Sequence, residues 1–187
     1  MDQEIKKCLK VLQDGGTILY PTDTIWGIGC DATNDVAVEK VYCLKKRMES
    51  KNLIILVEDQ KRLHQYITAI PDIAWDLLSN VNSPLTIVFP DAKNLAKKVV
   101  AADQSIAIRI VKSGFCHQLI SAFGKPIVST SANISGEAPP KTFRHISAEI
   151  IAGVDYVVKE RMDFIHIIKP SQIIKINANG EFRIIRE

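Results

Sequence analysis

Residues 105–136, SIAIRIVKSGFCHQLISAFGKPIVSTSANISG, hold the pattern that decides the fold. The apolar run at 106–111 predicts a strand. The stretch 113–123 predicts a helix, which begins at a serine that can cap it and is followed by Gly124, a residue that favours helix ends. The apolar pair 127–128 predicts a second strand that leads into a loop of small polar residues. A strand, a helix and a second strand in succession are typical of an α/β fold.

The rest of the chain continues this alternation. A helix is predicted at 3–14, where apolar residues recur at helical spacing, and another at 35–47, where Asn34 can cap the first turn. Further helices are predicted near 59–67 and 71–80, and further strands at 17–20, 53–57, 85–89, 154–158, 171–176 and 182–185. We therefore predict an α/β fold, with a mixed sheet flanked by helices in a single domain that spans residues 1–187.

Composition narrows the class of protein. The chain has 187 residues, 47% of them hydrophobic and 24% charged, with a formal net charge of +3, as in ordinary globular proteins. This charge permits a polyanionic partner but does not require one. No apolar run approaches the length of a membrane span, the first residues lack the apolar core of a signal peptide, and the four cysteines form no CxxC pair. These features predict a cytoplasmic protein with reduced thiols and no membrane contact.

Two segments carry polar residues that can either bind a ligand or have an ordinary structural role. In YPTDTIWGIGCDA (20–32), short hydroxyls and a carboxylate can bind a polar ligand, or they can satisfy the backbone of a turn. The loose GxGxxA within it does not predict a dinucleotide site, because residues 31–34 separate it from the next helix. In Lys45-Lys46-Arg47, the cations can clamp phosphates, or they can be solvated charges near a helix C-terminus.

Two further segments suggest a site on the sheet. Arg109 lies inside an apolar strand, where a buried charge costs several kcal/mol unless an anion pairs with it. Either a structural Asp or Glu or a substrate carboxylate would serve. In STSANISG (129–136), five of eight residues are Ser, Thr or Asn, and they follow a predicted strand end, where ligands gather in open α/β sheets. Such a loop suits phosphate or ribose oxygens, and it is also compatible with an ordinary Ser-rich turn.

Together with two shorter motifs, these segments resemble the threonylcarbamoyl-AMP synthase family, also called YrdC-like or TsaC-type. The matching elements are PTDTIWGIGCDA (21–32), LKKR (44–47), SPLTIVF (83–89), SIAIRI (105–110) and STSANISG (129–136). The resemblance implies a YrdC-like twisted mixed sheet with an open, basic concave face. It also implies synthesis of threonylcarbamoyl-AMP and pyrophosphate from L-threonine, bicarbonate or CO₂ and ATP, for the N6-threonylcarbamoyladenosine modification of tRNA.

The resemblance also assigns site residues by position. It places threonine on Thr24, Arg109, Ser129 and Ser171. It places ATP on Lys45, Arg47, Lys51, Ser105, Ser131, Asn133 and Arg186, with Lys45 and Arg47 as the catalytic cations. Mg²⁺ is expected to accompany ATP, with no protein side chain as a metal ligand.

The partners implied are ATP, L-threonine, bicarbonate and a downstream tRNA threonylcarbamoyl transferase complex, with tRNA or double-stranded RNA on the basic face. Some positions depart from the family pattern, among them Met48 after the LKKR arginine and Ser171-Gln172 late in the chain. The length is that of the short, single-domain form. Three alternatives stay open at this stage: an RNA-binding module without activity, an enzyme that passes a carbamoyl-adenylate to another acceptor, as in hydrogenase maturation, and a structural protein.

Overall fold

The computed structural model describes residues 2–46, 53–81, 83–159 and 171–186. Its helices are α1 (Gln3–Gln13), α2 (Asp35–Leu44), α3 (Leu63–Tyr66), α4 (Ile73–Asn80), α5 (Gly114–Phe123) and α6 (Ala148–Gly153). Its strands are β1 (Ile18–Pro21), β2 (Trp26–Gly29), β3 (Ile54–Val57), β4 (Leu85–Phe89), β5 (Ile106–Ile110), β6 (Ile127–Ser131), β7 (Tyr156–Val157), β8 (Gln172–Ile176) and β9 (Phe182–Arg186). The α/β prediction is confirmed.

The strands form one mixed sheet in the order β7-β1-β2-β6-β3-β5-β4-β8-β9. The pairs β1–β7, β3–β5 and β4–β8 are parallel, and the other neighbouring strands are antiparallel. None of the helices within the described residues has the length and apolar character needed to span a membrane.

One face of the sheet is apolar across its central strands. Five side chains lie in register there and are buried: Val128, Ile55, Ile108, Ile87 and Ile174. Apolar residues of α2 and α4 join the same core cluster. Successive side chains of a strand point to opposite faces. The residues that directly precede and follow each of these five along its strand therefore lie on the other face of the sheet.

The other face is covered along only part of its length. Leu56 and Ile127 pack there in a second cluster with apolar residues of α1 and α5. Farther along these two strands lie Ile54 and Ser129, and Ala107 lies beside Ile54 on β5; all three border an open cavity. The arrangement of the helices therefore leaves a concave surface on the sheet where a ligand can lie.

Several local predictions are confirmed. The helix α1 has its predicted apolar stripe buried, and Asn34 caps α2 by accepting hydrogen bonds from the backbone N–H groups of Val36 and Ala37. The helix α5 ends at Gly124, whose φ of 72° lies in the left-handed region that favours glycine.

Two strands were predicted wrongly. Residues 26–29 form the strand β2 rather than part of a turn, and β6 continues to Ser131 rather than ending at Val128. Glycine is unfavourable within strands, but Gly29 allows neighbouring strands to approach closely here. A Cβ at Gly29 would lie 2.6 Å from Tyr20 Cε1 and 2.8 Å from the Val128 carbonyl oxygen. In β6, the side chains of Ser129 and Ser131 face a cavity instead of the core, so they need not be apolar.

The four cysteines are free thiols that differ in exposure. Burial raises the pKa of Cys8 to about 12 and also raises the pKa values of Cys30 and Cys116, whereas Cys43 is exposed. Because the thiolate is the reactive form, we expect a thiol reagent at pH 8 to label one cysteine per native chain and all four after denaturation. Cys43→Ser should abolish the native labelling. Rapid labelling of a second thiol in the native state would contradict this packing.

Candidate functional site

The open face holds a cavity of about 350 Å³. Its apolar wall comes mainly from Ile54, Val88, Ala107, Ile173 and Ile185. Its polar lining consists of Thr22, Thr24, Arg109, Ser129, Thr130, Ser131, Ser171 and Arg186. A concave pocket with an apolar floor and a few converging polar groups is the usual form of a small-molecule site.

A short turn between β1 and β2 forms one side of the cavity. The Thr22 hydroxyl donates to the Ile25 carbonyl at 2.7 Å and accepts from the Thr24 backbone N–H at 3.1 Å. The two threonine hydroxyls also lie 3.1 Å apart, and both residues are buried. The turn-capping interpretation of this segment is therefore correct for Thr22, and the capped turn holds Thr24 at the cavity wall.

Arg109 lies on β5, and its side chain is 5% exposed. Its Nη2 is 2.9 Å from Oδ1 of Asp23, which lies in the turn between β1 and β2, and none of the described residues that line the cavity is acidic. The contact is an ion pair without hydrogen-bond geometry, because Asp23 Oδ1 lacks a hydrogen-bond partner within the described residues. Arg109 Nε also lacks a hydrogen-bond partner among these residues. The structural carboxylate that the buried arginine required is thus Asp23, and the guanidinium keeps an unused donor.

The opposite side of the cavity is built by β8 and β9. The Ser171 hydroxyl lies 2.8 Å from the hydroxyl of Thr86, and both residues are buried. Arg186 donates from Nε and Nη2 to the Ser171 carbonyl at 3.0 and 2.8 Å. A bulge in the β8–β9 pairing adds one residue to β9, and Ile185 and Arg186 both reach the cavity.

Two arginines give this cavity a positive potential. Burial, together with the nearby charge of Arg109, lowers the pKa of Arg186. Two guanidinium groups near one another, with Asp23 as the carboxylate paired to one of them, favour an anionic ligand. The predicted open, basic concave face is confirmed.

Lys45 lies outside the cavity lining and is 1% exposed. Its Nζ donates to the carbonyl oxygens of Ser131 and Asn133 at 2.5 and 2.6 Å, and its own carbonyl accepts from the Ser135 backbone N–H at 2.8 Å. The interpretation of Lys45 as a solvated charge is wrong. The ammonium instead fastens the segment 131–135 behind the cavity.

The other predicted ATP residues are spread over the concave side. Ser131 and Arg186 line the cavity, whereas Ser105 and Asn133 do not. The Ser105 hydroxyl donates to Asp103 at 2.5 Å, and the Lys175 ammonium with this hydroxyl lowers the pKa of Asp103 to about 2. Asn133 donates to the carbonyls of Ile134 and Glu137, and its buried Oδ1 lacks a hydrogen-bond partner within the described residues.

The structure thus brings the four predicted threonine residues to one cavity: Thr24, Arg109, Ser129 and Ser171. Arg47 and Lys51 lie outside the described residues, and α2 ends at Leu44, before the predicted bound of 47. The predicted position at strand ends is wrong, because the polar side chains stand on the face of the sheet. The pairing of Asp23 with Arg109 was not predicted, because the two residues are 86 positions apart and only the motif PTDT singled out Asp23.

Within the described ranges, no cluster of three or more His, Cys, Asp or Glu side chains could hold a metal ion.

The chain is similar in sequence to known proteins. The Sua5/YciO/YrdC family model, described as telomere recombination, matches residues 10–187. A threonylcarbamoyl-AMP synthase from Hahella chejuensis (strain KCTC 2396) is 35% identical over 170 residues, which are 90% of this chain and 91% of that protein.

Two solved structures have the same fold. The crystal structure of P. abyssi Sua5 complexed with L-threonine superposes with a TM-score of 0.85 at 24% identity, over 94% of this chain and 52% of the other. Full-length HypF in its phosphate- and nucleotide-bound form superposes with a TM-score of 0.80 at 22% identity, over 98% of this chain and 28% of the other. This chain therefore spans about half of that Sua5 chain and a smaller part of HypF. With a family model that covers nearly its whole length, the chain belongs to the Sua5/YciO/YrdC family.

Proposed function

We propose that this chain is a threonylcarbamoyl-AMP synthase, which forms threonylcarbamoyl-AMP and pyrophosphate from L-threonine, bicarbonate or CO₂ and ATP. The observation that carries the proposal is the meeting of Thr24, Arg109, Ser129 and Ser171 in one cavity, in a chain 35% identical to a protein of that name over 90% of its length. HypF shares the fold alone, so its likeness does not favour transfer of a carbamoyl group to another acceptor.

In the proposed complex, the threonine carboxylate binds the guanidinium of Arg109, whose Nε has no hydrogen-bond partner within the described part of the chain. A charge-assisted pair of this kind is among the strongest polar contacts in a protein. The hydroxyl and amine of the substrate then lie among the hydroxyls of Thr24, Ser129 and Ser171, which can both donate and accept.

The chemistry needs positioning more than covalent catalysis. The neutral amine of threonine adds to the carbon of CO₂ and loses a proton, which gives a carbamate. A carbamate oxygen attacks the α-phosphorus of ATP, and the bond from this phosphorus to the β-phosphate oxygen breaks as pyrophosphate leaves. Holding the reactants in line supplies much of the rate, and positive charge near the phosphates stabilises the transition state.

We propose that ATP extends from this cavity over Ser131 towards Asn133 and Ser105, and that Mg²⁺ arrives with its phosphates. Arg47 and Lys51 stay predicted phosphate ligands outside the described residues. We assign to Lys45 the task of holding the segment 131–135, because its ammonium donates to the carbonyl oxygens of Ser131 and Asn133. Contact with tRNA or double-stranded RNA, transfer of the product to a downstream complex and a cytoplasmic location also stay predictions.

The proposal is tested by identification of the product. The purified chain is incubated with ATP, Mg²⁺, L-threonine and ¹³C-bicarbonate, and the mixture is analysed by mass spectrometry. We expect a threonylcarbamoyl-AMP ion that is heavier by one mass unit than the ion formed with ordinary bicarbonate. A carbamoylated adenylate that lacks threonine would instead support the alternative acceptor, and absence of any adenylate from folded protein would reject the proposal.

A further inference from the structure

We propose that Asp23 is a positioning residue that holds the Arg109 guanidinium for the carboxylate of the amino-acid substrate. The inference rests on the proposed function and extends it to a residue outside the cavity lining. Asp23 Oδ1 is 2.9 Å from Arg109 Nη2, and the carboxylate is 24% exposed whereas the arginine side chain is 5% exposed.

The turn that carries Asp23 is fixed independently of Arg109. The Thr22 hydroxyl, one residue before Asp23, accepts from the backbone N–H of Thr24, one residue after it, and donates to the Ile25 carbonyl. The carboxylate is therefore presented from a backbone that the hydrogen bonds of the turn hold in place.

The contact of Asp23 uses one nitrogen of the guanidinium. Arg109 Nε stays buried without a hydrogen-bond partner among the described residues, although Arg109 lines the cavity. A buried donor of this kind is costly unless something accepts its hydrogen bond. A guanidinium held at Nη2 can still present its other N–H groups to a substrate carboxylate in a fixed orientation.

The negative charge of Asp23 also offsets part of the repulsion between the two arginines. The charge of Arg109 contributes to the lowered pKa of Arg186, so the two cations lie close enough to interact. Without a carboxylate behind Arg109, the guanidinium would be repelled by Arg186 and would be free to leave the orientation that suits a single substrate carboxylate. The loss of Asp23 should thus affect amino-acid binding more than chemistry at the phosphorus.

Asp23→Asn tests the inference, since it keeps the shape of the side chain and removes its charge. We expect KM for L-threonine to rise by about tenfold or more, which is the effect of losing one charge-assisted contact, while kcat changes less than about threefold. Calorimetry should show the same loss of L-threonine affinity without ATP. A merely structural role would lower the amount of folded protein and leave KM unchanged.

Two further variants complete the experiment. Glu58→Gln is the matched control, because it removes a carboxylate charge that is paired with Arg62 at 2.7 Å. Neither residue lines any of the described cavities, so KM should stay within about twofold. Asp23→Glu keeps the charge on a longer side chain and should give an intermediate KM. If Asp23→Asn does not fold, Asp23→Glu becomes the test of the proposal. An unchanged KM for L-threonine in Asp23→Glu would then overturn it.

The outcomes separate the two proposals. An unchanged KM in Asp23→Asn would overturn the role of Asp23 and leave the proposed function standing. A lower KM would also overturn it, because Asp23 would then compete with the substrate for Arg109. A wild-type chain that neither binds nor consumes L-threonine would overturn both.

Discussion

Arg109→Met is expected to lower kcat/KM for L-threonine by about 10- to 100-fold, as judged by threonine-dependent pyrophosphate release. The variant keeps the volume of the side chain and removes the charge-assisted contact with the substrate carboxylate. Because Asp23 is 24% exposed, the carboxylate left behind keeps some contact with water, and the fold should survive. Affinity for ATP, measured by calorimetry, should change far less than affinity for threonine.

The matched control is Arg62→Met, which removes an arginine paired with Glu58 at 2.7 Å and outside the cavity lining. It should leave kcat/KM within about twofold. Equal threonine affinity in wild type and Arg109→Met would contradict the role of Arg109, even if turnover fell.

Lys45→Met should lower both stability and turnover. The buried ammonium donates to two carbonyl oxygens, those of Ser131 and Asn133, and its removal leaves both without this donor. At about 1–2 kcal/mol for each carbonyl, the loss is about 2–4 kcal/mol. For a chain of this size, that lowers Tm by about 5–15 °C. Turnover should fall as well, because Ser131 forms part of the cavity wall.

The neighbouring residue provides the control. Lys46 is exposed and pairs with Glu149 at 2.7 Å on the surface, so Lys46→Met should change the free energy of unfolding by less than about 1 kcal/mol. A Lys45→Met variant with the Tm of the wild type but without turnover would show that the ammonium acts on the substrate, and would contradict the structural task assigned to it.

The helices and their ends were predicted well where the residues that define them lie close together in the sequence. The apolar stripe of α1, the Asn34 cap of α2 and the Gly124 end of α5 depend on residues within a few positions of one another. The strand β2 was missed because its two glycines suggest a turn. The need for Gly29 arises only from Tyr20 and Val128, which the sheet brings against it.

The site shows the same limit. Motif resemblance identified Thr24, Arg109, Ser129 and Ser171, which the fold gathers from four separate parts of the chain. The position of Arg109 in an apolar strand requires an anion beside it, but the sequence does not show whether that anion is a protein carboxylate or the carboxylate of a substrate. The structure shows the ion pair with Asp23 through one guanidinium nitrogen, and Arg109 also lines the cavity, where a substrate carboxylate can meet it.

The interpretation of Lys45 as a solvated charge was wrong for a related reason. Three consecutive cations suggest a solvated helix end or a phosphate clamp, and only the path of residues 131–135 reveals two carbonyl oxygens at its ammonium. The charge of a residue is visible in the sequence, whereas the groups that surround it are set by segments far away in the chain.

The most direct test of the account is pyrophosphate release by the purified chain with ATP and Mg²⁺, with L-threonine or bicarbonate left out in turn. The proposed function predicts that pyrophosphate is released only when both are present, and that this release is lost in the Arg109→Met variant at low threonine concentration. Release that needs neither substrate would contradict it, as would no release from a folded chain that still binds ATP.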